Sequence, residues 1–339
     1  MTSIAPDTNT PEGILRLGNL FCDAKAVLTA VELGLFTLLH DGPLSEEEIR
    51  TKLNLHGRGL GDWLNLVGAL GLLTVTDGRY ANAPGADRYL VAGGQTYIGG
   101  FLLRSNRNLY PAYGRLDEAL RTGQQQSGSD FDEVVQNPQI LAQFIHSMDA
   151  FTHVLGPQLI EAYDGWGDYA SVLDIGGCRG NLCSQIVKAQ PHLEGHVFDL
   201  PQMEPFFDEK VAQYGLTGRV HFHGGSFFEA DAVLPSTDIA VLGHVLHDWD
   251  ADQRRFLVKK AFDALNPGGS LLVYDRMLEP GPSYVENLVI SLDMLLVTDG
   301  GSEYTATELI SHADFAGFES TTVSALGEYD TLVVCRKAG

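Results

Sequence analysis

The sequence predicts an α/β protein: a mostly parallel sheet with helices on both faces and an antiparallel last strand, preceded by a mainly helical domain ending in a hairpin. Three observations carry that reading. From Ala170 onward, short apolar runs alternate with helical segments; the first run opens into a glycine-rich turn; and the last two runs are joined by a loop too short for a parallel crossover. The length of 339 residues suits two domains.

The elements follow in order. The polar, proline-containing first ten residues are expected to fray. From Ile14 to Leu39 apolar residues recur at helical spacing (Leu17, Leu20, Phe21, Ala24, Val27, Leu28, Val31, Leu35, Leu38), with Gly18 and Gly34 interrupting. Ser45 with Glu48 is a capping box, so a helix starts there and runs to about Leu53. A further helix spans Leu60 to Gly71. Leu72–Thr76, the Asp77-Gly78 turn and Arg79–Ala81 then read as a hairpin. Thr122 to Ser129 is a polar loop, and a long helix runs from Pro138 to about Tyr163. Beyond Gly165-Trp166-Gly167 come strand Ser171–Ile175, helix Leu182–Ala189, strand His196–Asp199, helix Pro205–Tyr214 and strands Arg219–His223 and Asp238–Leu242. Helix Asp252–Leu265, strand Ser270–Tyr274 and the final pair Thr321–Ser324 and Thr331–Cys335 complete the chain.

Composition removes several function classes. At 44% hydrophobic and 19% charged the chain is globular. Its 22 basic and 44 acidic residues give a net charge of −22, a surface that repels phosphate backbones and anionic lipid. No apolar run reaches the about 18 residues of a membrane span, and no basic start leads into a signal core. Cys22, Cys178, Cys183 and Cys335 have no scaffold spacing, so reduced thiols and a cytoplasmic location are expected. Three helices and a hairpin form a winged-helix pattern, whose sharpest reading is DNA binding. Residues 45–90, however, set Arg50, Lys52, Arg58, Arg79 and Arg88 against Glu46, Glu47, Glu48, Asp62, Asp77 and Asp87. A groove-reading helix needs a basic field, so a dimerising module is the expectation and nucleic acid is not a partner.

The turn Asp174-Ile-Gly176-Gly177-Cys178-Arg179-Gly180-Asn181 lies at the carboxyl edge of the sheet, where ligands bind. A dinucleotide fingerprint fails, because Cys178 and Asn181 stand where GxGxxG requires glycine. Asp174 would repel a pyrophosphate but welcome a cation. Asp199, at the end of the second strand, suits ribose hydroxyls. Together they point to a positively charged nucleoside such as S-adenosylmethionine.

That turn occurs in one order with Phe198-Asp199-Leu200-Pro201, Gly225-Ser226-Phe227-Phe228, His244-Val-Leu-His247-Asp248-Trp249-Asp250, Asn266-Pro-Gly-Gly269 and Gly300-Gly-Ser-Glu303-Tyr-Thr305. The set resembles the plant and bacterial small-molecule O-methyltransferase family over nearly the whole chain. The resemblance implies a winged-helix dimerisation domain over 1–105, a helical connecting and substrate-pocket region over 106–165, and a Rossmann-like S-adenosylmethionine-dependent methyltransferase domain over 166–339. It implies that Gly176, Gly177 and Gly180 pass under the methionine part of the cofactor, with Asp174 at the loop's base. Asp199 and Leu200 would then meet the ribose, and Gly225, Ser226, Phe227 and Trp249 the adenine. Met148 and Thr152 would stand near the sulfonium and the polar tail. His247 would be the general base, flanked by Asp275 and Glu303. A homodimer is implied, and no metal. Three positions depart from the family: Cys178 for glycine, Ser226 for aspartate, and Gly243, a cofactor-lining position, for lysine or arginine. Because a left-handed cysteine costs about 1–2 kcal/mol, ordinary backbone is expected at Cys178.

The residues support the same chemistry directly. A phenol of pKa about 10 needs a nearby base of near-neutral pKa, which suits histidine. His247 and Asp275 follow successive strands, so both face one mouth. The bland reading of His247 is a hydrogen-bonded residue at a helix start. His244, His247, Asp248 and Asp250, and the pair His221 and His223, raise a metal reading, but no ligand signature forms. Phe144, Met148 and Met294 offer an apolar wall for an aromatic acceptor, and Asn287 a hydrogen bond to a ring substituent. Methylation of a ring carbon ortho to the hydroxyl is the alternative within this chemistry. Non-methylating use of the same cofactor is the alternative outside it.

Overall fold

The computed structural model describes residues 6–94, 96–127, 131–229, 232–278 and 284–339. Residues 1–5 of the expected frayed start, and Gly128 and Ser129 of the polar loop, lie outside them. The chain forms two units, one of residues 1–111 with 146–150 and one of 112–145 with 151–339.

In the first unit the apolar run Ile14–Leu39 is three helices, Pro11–Gly18, Leu20–Glu32 and Leu35–Leu39. Gly34 breaks it in the left-handed region (φ 71°), as its position suggested. Ser45 caps helix Glu46–Lys52 with both hydrogen bonds of the box formed. Helix Leu60–Ala69 leads into the hairpin of β2 (Leu73–Thr76) and β3 (Arg79–Asn82), and β1 (Leu44–Ser45) pairs with β3. Leu35, Phe36, Leu39, Ile49, Leu64 and Val67 are buried in its core. Helix Leu20–Glu32, by contrast, has Phe21 55% exposed, and Ile14 and Leu15 before it are 58% and 67% exposed.

The second unit is built on seven strands: β4 (Ser171–Ile175), β5 (Glu194–Asp199), β6 (Val220–Gly224), β7 (Thr237–Gly243), β8 (Leu265–Asp275), β9 (Ser320–Leu326) and β10 (Asp330–Arg336). Their order is β6-β5-β4-β7-β8-β10-β9, parallel from β6 to β8, with β10 antiparallel to both neighbours. Alternate residues serve opposite faces. Leu173, Ala240 and Leu271 join one apolar cluster, while Val172, Val241 and Leu272 join the other. The strand expected at Ser270 begins five residues earlier, because Leu265 already pairs with Thr237 before the Asn266–Gly269 segment shifts the register. Two helices absent from the sequence reading, Val285–Val297 and Ala306–Ala316, lie between β8 and β9. The parallel strands place the ends of β4, β5, β6, β7 and β8 along one edge, and the candidate residues gather there.

Candidate active site

At the end of β4 the chain turns over the Asp174 carboxylate. A Cβ on Gly177 would lie 2.6 Å from that carboxylate, so only glycine passes there. Gly176 and Gly180 take φ of 76° and 73°, and Gly180 caps helix Asn181–Ala189. Cys178 corrects the sequence expectation: its φ is 52°, in the left-handed region. The cause is long-range. The Cys178 N–H donates to Asp199 Oδ2 at 2.7 Å, and the Leu200 N–H donates to Oδ1 at 2.7 Å. Asp199, at the end of β5, thus ties the glycine-rich loop to its own strand. The Cys178 side chain packs against the cluster of Leu141, Ile145 and Met203, which offsets part of the backbone cost.

Asp174 and Asp199 are both buried. Burial, with Asp199 beside it, pushes Asp174 up to about 7. Burial pushes Asp199 up to about 6 against its two backbone donors. Asp174 Oδ2 has no hydrogen-bond partner. Two buried carboxylates with unused acceptor capacity fit a ligand that brings positive charge and hydroxyl groups. Beyond β6, Gly225 donates its N–H to the Asp199 carbonyl at 2.9 Å. Ser226 follows, its N–H donating to the Glu229 carboxylate at 3.4 Å, a nearby acidic group the sequence reading passed over. Phe227 lies 5.9 Å from Phe198 and 6.3 Å from Trp249, ring centre to ring centre. The Trp249 indole N–H is buried without a partner. The residues after β5, β6 and β7 therefore present acidic, aromatic and donor groups together.

His247 stands on a single 3₁₀ turn, Leu246–Asp248, directly after β7. Its Nδ1 lies 2.7 Å from Glu303 Oε1 and 3.5 Å from Asp275 Oδ1. The carboxylate can only accept, so Nδ1 carries the proton and Nε2 is left as the basic atom. The nearest carboxylate to Nε2 is Asp248, at 3.8 Å, outside hydrogen-bond range. Tyr304 donates its hydroxyl to Asp275 Oδ2 at 2.5 Å and so fixes the second carboxylate. Burial opposes charge on His247, but Asp275 and Glu303 outweigh it and raise the imidazole to about 10. This value departs from the near-neutral one expected from the sequence. His244, three residues earlier with φ 51°, places Nε2 2.8 Å from Asp330 and Nδ1 3.7 Å from Asp275. One ligand atom each from His244, His247 and Asp275 falls within 4.8 Å of the others. The Glu303 and Asp330 carboxylates and the Tyr304 hydroxyl adjoin these residues.

The remaining expected residues divide. Thr152, on helix Pro138–Ala162, accepts through its carbonyl from Gln185 at 3.4 Å, beside the helix that follows the glycine-rich loop. Phe144 packs against the same Leu141–Ile145–Met203 cluster as Cys178. Asn287 and Met294 are buried on helix Val285–Val297. Asn287 donates both amide hydrogens, to the Met277 and Tyr329 carbonyls, and its Oδ1 is buried with no partner. Met148 belongs to the 146–150 segment of the first unit. Sequence reasoning gave Tyr304 and Asp330 no role and raised His244 only as part of a metal reading, through its His244-x-x-His247 spacing.

Comparison with known proteins identifies the family. The O-methyltransferase domain family matches residues 113–319, and the O-methyltransferase dimerisation domain matches residues 15–92. The chain is 40% identical to the tetracenomycin polyketide synthesis 8-O-methyl transferase TcmO of Streptomyces glaucescens, covering 96% of this chain and 97% of that one. It is 37% identical to the N,N-dimethyltransferase OxyT of Streptomyces rimosus, over 94% and 93% of the two chains. The structure of human N-acetylserotonin methyltransferase in complex with S-adenosylmethionine superposes with a TM-score of 0.88 at 25% identity, covering 100% of both chains.

Proposed function

The chain belongs to the O-methyltransferase family, with that family's dimerisation domain at its N-terminal end, and we propose that it methylates a phenolic hydroxyl of a small aromatic polyketide. It is an S-adenosylmethionine-dependent methyltransferase of secondary metabolism. The observation that carries the acceptor class is the buried His247–Glu303 pair at 2.7 Å, with Nε2 3.8 Å from the Asp248 carboxylate and so beyond hydrogen-bond range of it. An imidazole so held accepts a proton from a weakly acidic hydroxyl and cannot swing away. The 8-O-methyl transferase relative supports the choice of oxygen.

When bound, S-adenosylmethionine supplies an activated methyl group whose bond to sulfur breaks as the acceptor oxygen bonds to carbon. His247 Nε2 takes the hydroxyl proton as that oxygen attacks, and Glu303 holds the proton on Nδ1 and stabilises the imidazolium. Asp275, fixed by Tyr304, adds a second negative group beside the ring. Gly176, Gly177, Gly180 and Asp174 hold the methionine part, Asp199 and Leu200 the ribose, and Gly225, Ser226, Phe227 and Trp249 the adenine. Gly243 and Thr152 line the same cleft. Asn287 Oδ1 accepts from a ring substituent, and Phe144 and Met294 contribute apolar contact. The chemistry calls for no metal, no nucleic acid and no membrane; among the described residues no helix is long and apolar enough to cross one.

We assign the exposed apolar residues Ile14, Leu15, Leu17 and Phe21 to a homodimer interface. Light scattering of the purified chain reads a dimer; a monomer at micromolar concentration removes this assignment.

The base assignment has a pH signature. Only neutral imidazole accepts a proton, and the pocket raises His247 from 6.5 to about 10. Activity therefore climbs with pH above the ordinary imidazole value, giving an alkaline optimum. Glu303→Gln removes one of the carboxylates that raise the pKa, so its acid limb moves toward lower pH. A kcat/KM profile whose acid limb is identical in the two proteins contradicts His247 as the base.

A further inference from the structure

At the end of β7 the space above Gly243 is filled from the neighbouring strand. Gly243 and Tyr274 are register partners on β7 and β8. A Cβ on Gly243 would overlap the Tyr274 ring and its hydroxyl, so any larger residue at 243 would displace the phenol. Tyr274 packs on the sheet face that carries Val172, Val241 and Leu272. Asp174, two residues beyond Val172 on β4, faces the same way. The ring thus leans across β7 toward β4, and Asp174 is the first of the charges acting on its hydroxyl. Burial, followed by the charges of Asp174, Asp330 and Asp275, holds the phenol well above its ordinary range, so it keeps its proton and donates. Asp174 Oδ2 is buried without a hydrogen-bond partner.

We propose that the Tyr274 hydroxyl, laid across Gly243, is a cofactor-binding group for the amino-acid end of S-adenosylmethionine, donating to its carboxylate while Asp174 receives its ammonium. The departure at position 243 is then one half of an exchange. β7 gives up a side chain, and β8 supplies a hydroxyl to the same space. The inference rests on the assignment of the Gly176–Gly180 loop to the cofactor.

The test is calorimetric. Tyr274→Phe removes one oxygen and keeps the ring, so packing over Gly243 is preserved. S-adenosylhomocysteine and 5′-methylthioadenosine, which lacks the amino-acid end, are titrated into both proteins. The expected result is about tenfold weaker S-adenosylhomocysteine binding by Tyr274→Phe, with methylthioadenosine unchanged. Unchanged binding of both ligands, or equal weakening of both, overturns the proposal. Wild-type protein that binds neither ligand instead removes the cofactor-site assignment beneath it. Gly243→Ala gives a second reading: it weakens S-adenosylhomocysteine when Tyr274 is present and has little effect in a Tyr274→Val background. Equal effects in both backgrounds also overturn the proposal.

Discussion

Replacing His247 with alanine slows methyl transfer by about 10²–10⁴-fold while leaving S-adenosylhomocysteine affinity nearly unchanged. In the proposed reaction Nε2 meets the acceptor's proton, not the nucleoside, so its loss falls on the chemical step. His247→Asn is similarly slow, because an amide does not take up a proton near neutrality. Glu303→Gln costs less. A neutral amide still accepts the Nδ1 hydrogen bond across the 2.7 Å gap but no longer stabilises the imidazolium. Single-turnover rates with calorimetry separate these effects. If Glu303→Gln proves slower than His247→Ala, the carboxylate is the base and the two roles exchange.

Asp199→Ala weakens S-adenosylhomocysteine binding by about 10²–10³-fold, from the loss of charge-assisted hydrogen bonds. Two effects combine. The ribose loses its acceptor, and the Cys178 and Leu200 N–H groups lose theirs at 2.7 Å each. The second effect lets the loop relax away from its left-handed conformation at Cys178. Asp199→Asn keeps one acceptor oxygen and turns an amide N–H₂ toward a backbone N–H, so it falls between wild type and alanine. Calorimetry reads the affinities. Wild-type affinity in Asp199→Ala means that the ribose is held elsewhere.

Much of the site was legible because its signals are local. The strand–turn–helix around Gly176 and Gly180, the acidic end of β5 and the position of His247 after β7 follow from spacing along the chain. The Ser45–Glu48 box and the Asp77-Gly78 turn were readable for the same reason. Cys178 was misread because its backbone is set by Asp199, 21 residues away, through a hydrogen bond that no local propensity registers. Tyr274 is functionally silent in the sequence, since its meaning depends on the register that puts it beside Gly243. The raised pKa of His247 was equally hidden, because it takes two buried carboxylates from separate segments. Helix Val285–Val297 escaped because Val285, Leu288, Val289, Ile290, Leu292, Leu295, Leu296 and Val297 leave almost no polar face to give a period. Helix Ala306–Ala316 had a usable signal in Thr305 with Glu308, whose N–H does donate to the Thr305 hydroxyl.

The most direct measurement of the central claim is product analysis with S-adenosylmethionine labelled at the methyl carbon. The purified chain is incubated with a panel of phenolic aromatic polyketides, and the labelled product is assigned by carbon NMR alongside the yield of S-adenosylhomocysteine. The account predicts a label on oxygen, one S-adenosylhomocysteine for each methyl transferred, and no labelled product from His247→Ala on the same timescale. A label on a ring carbon or an amine, or a new product formed without methyl transfer, contradicts it.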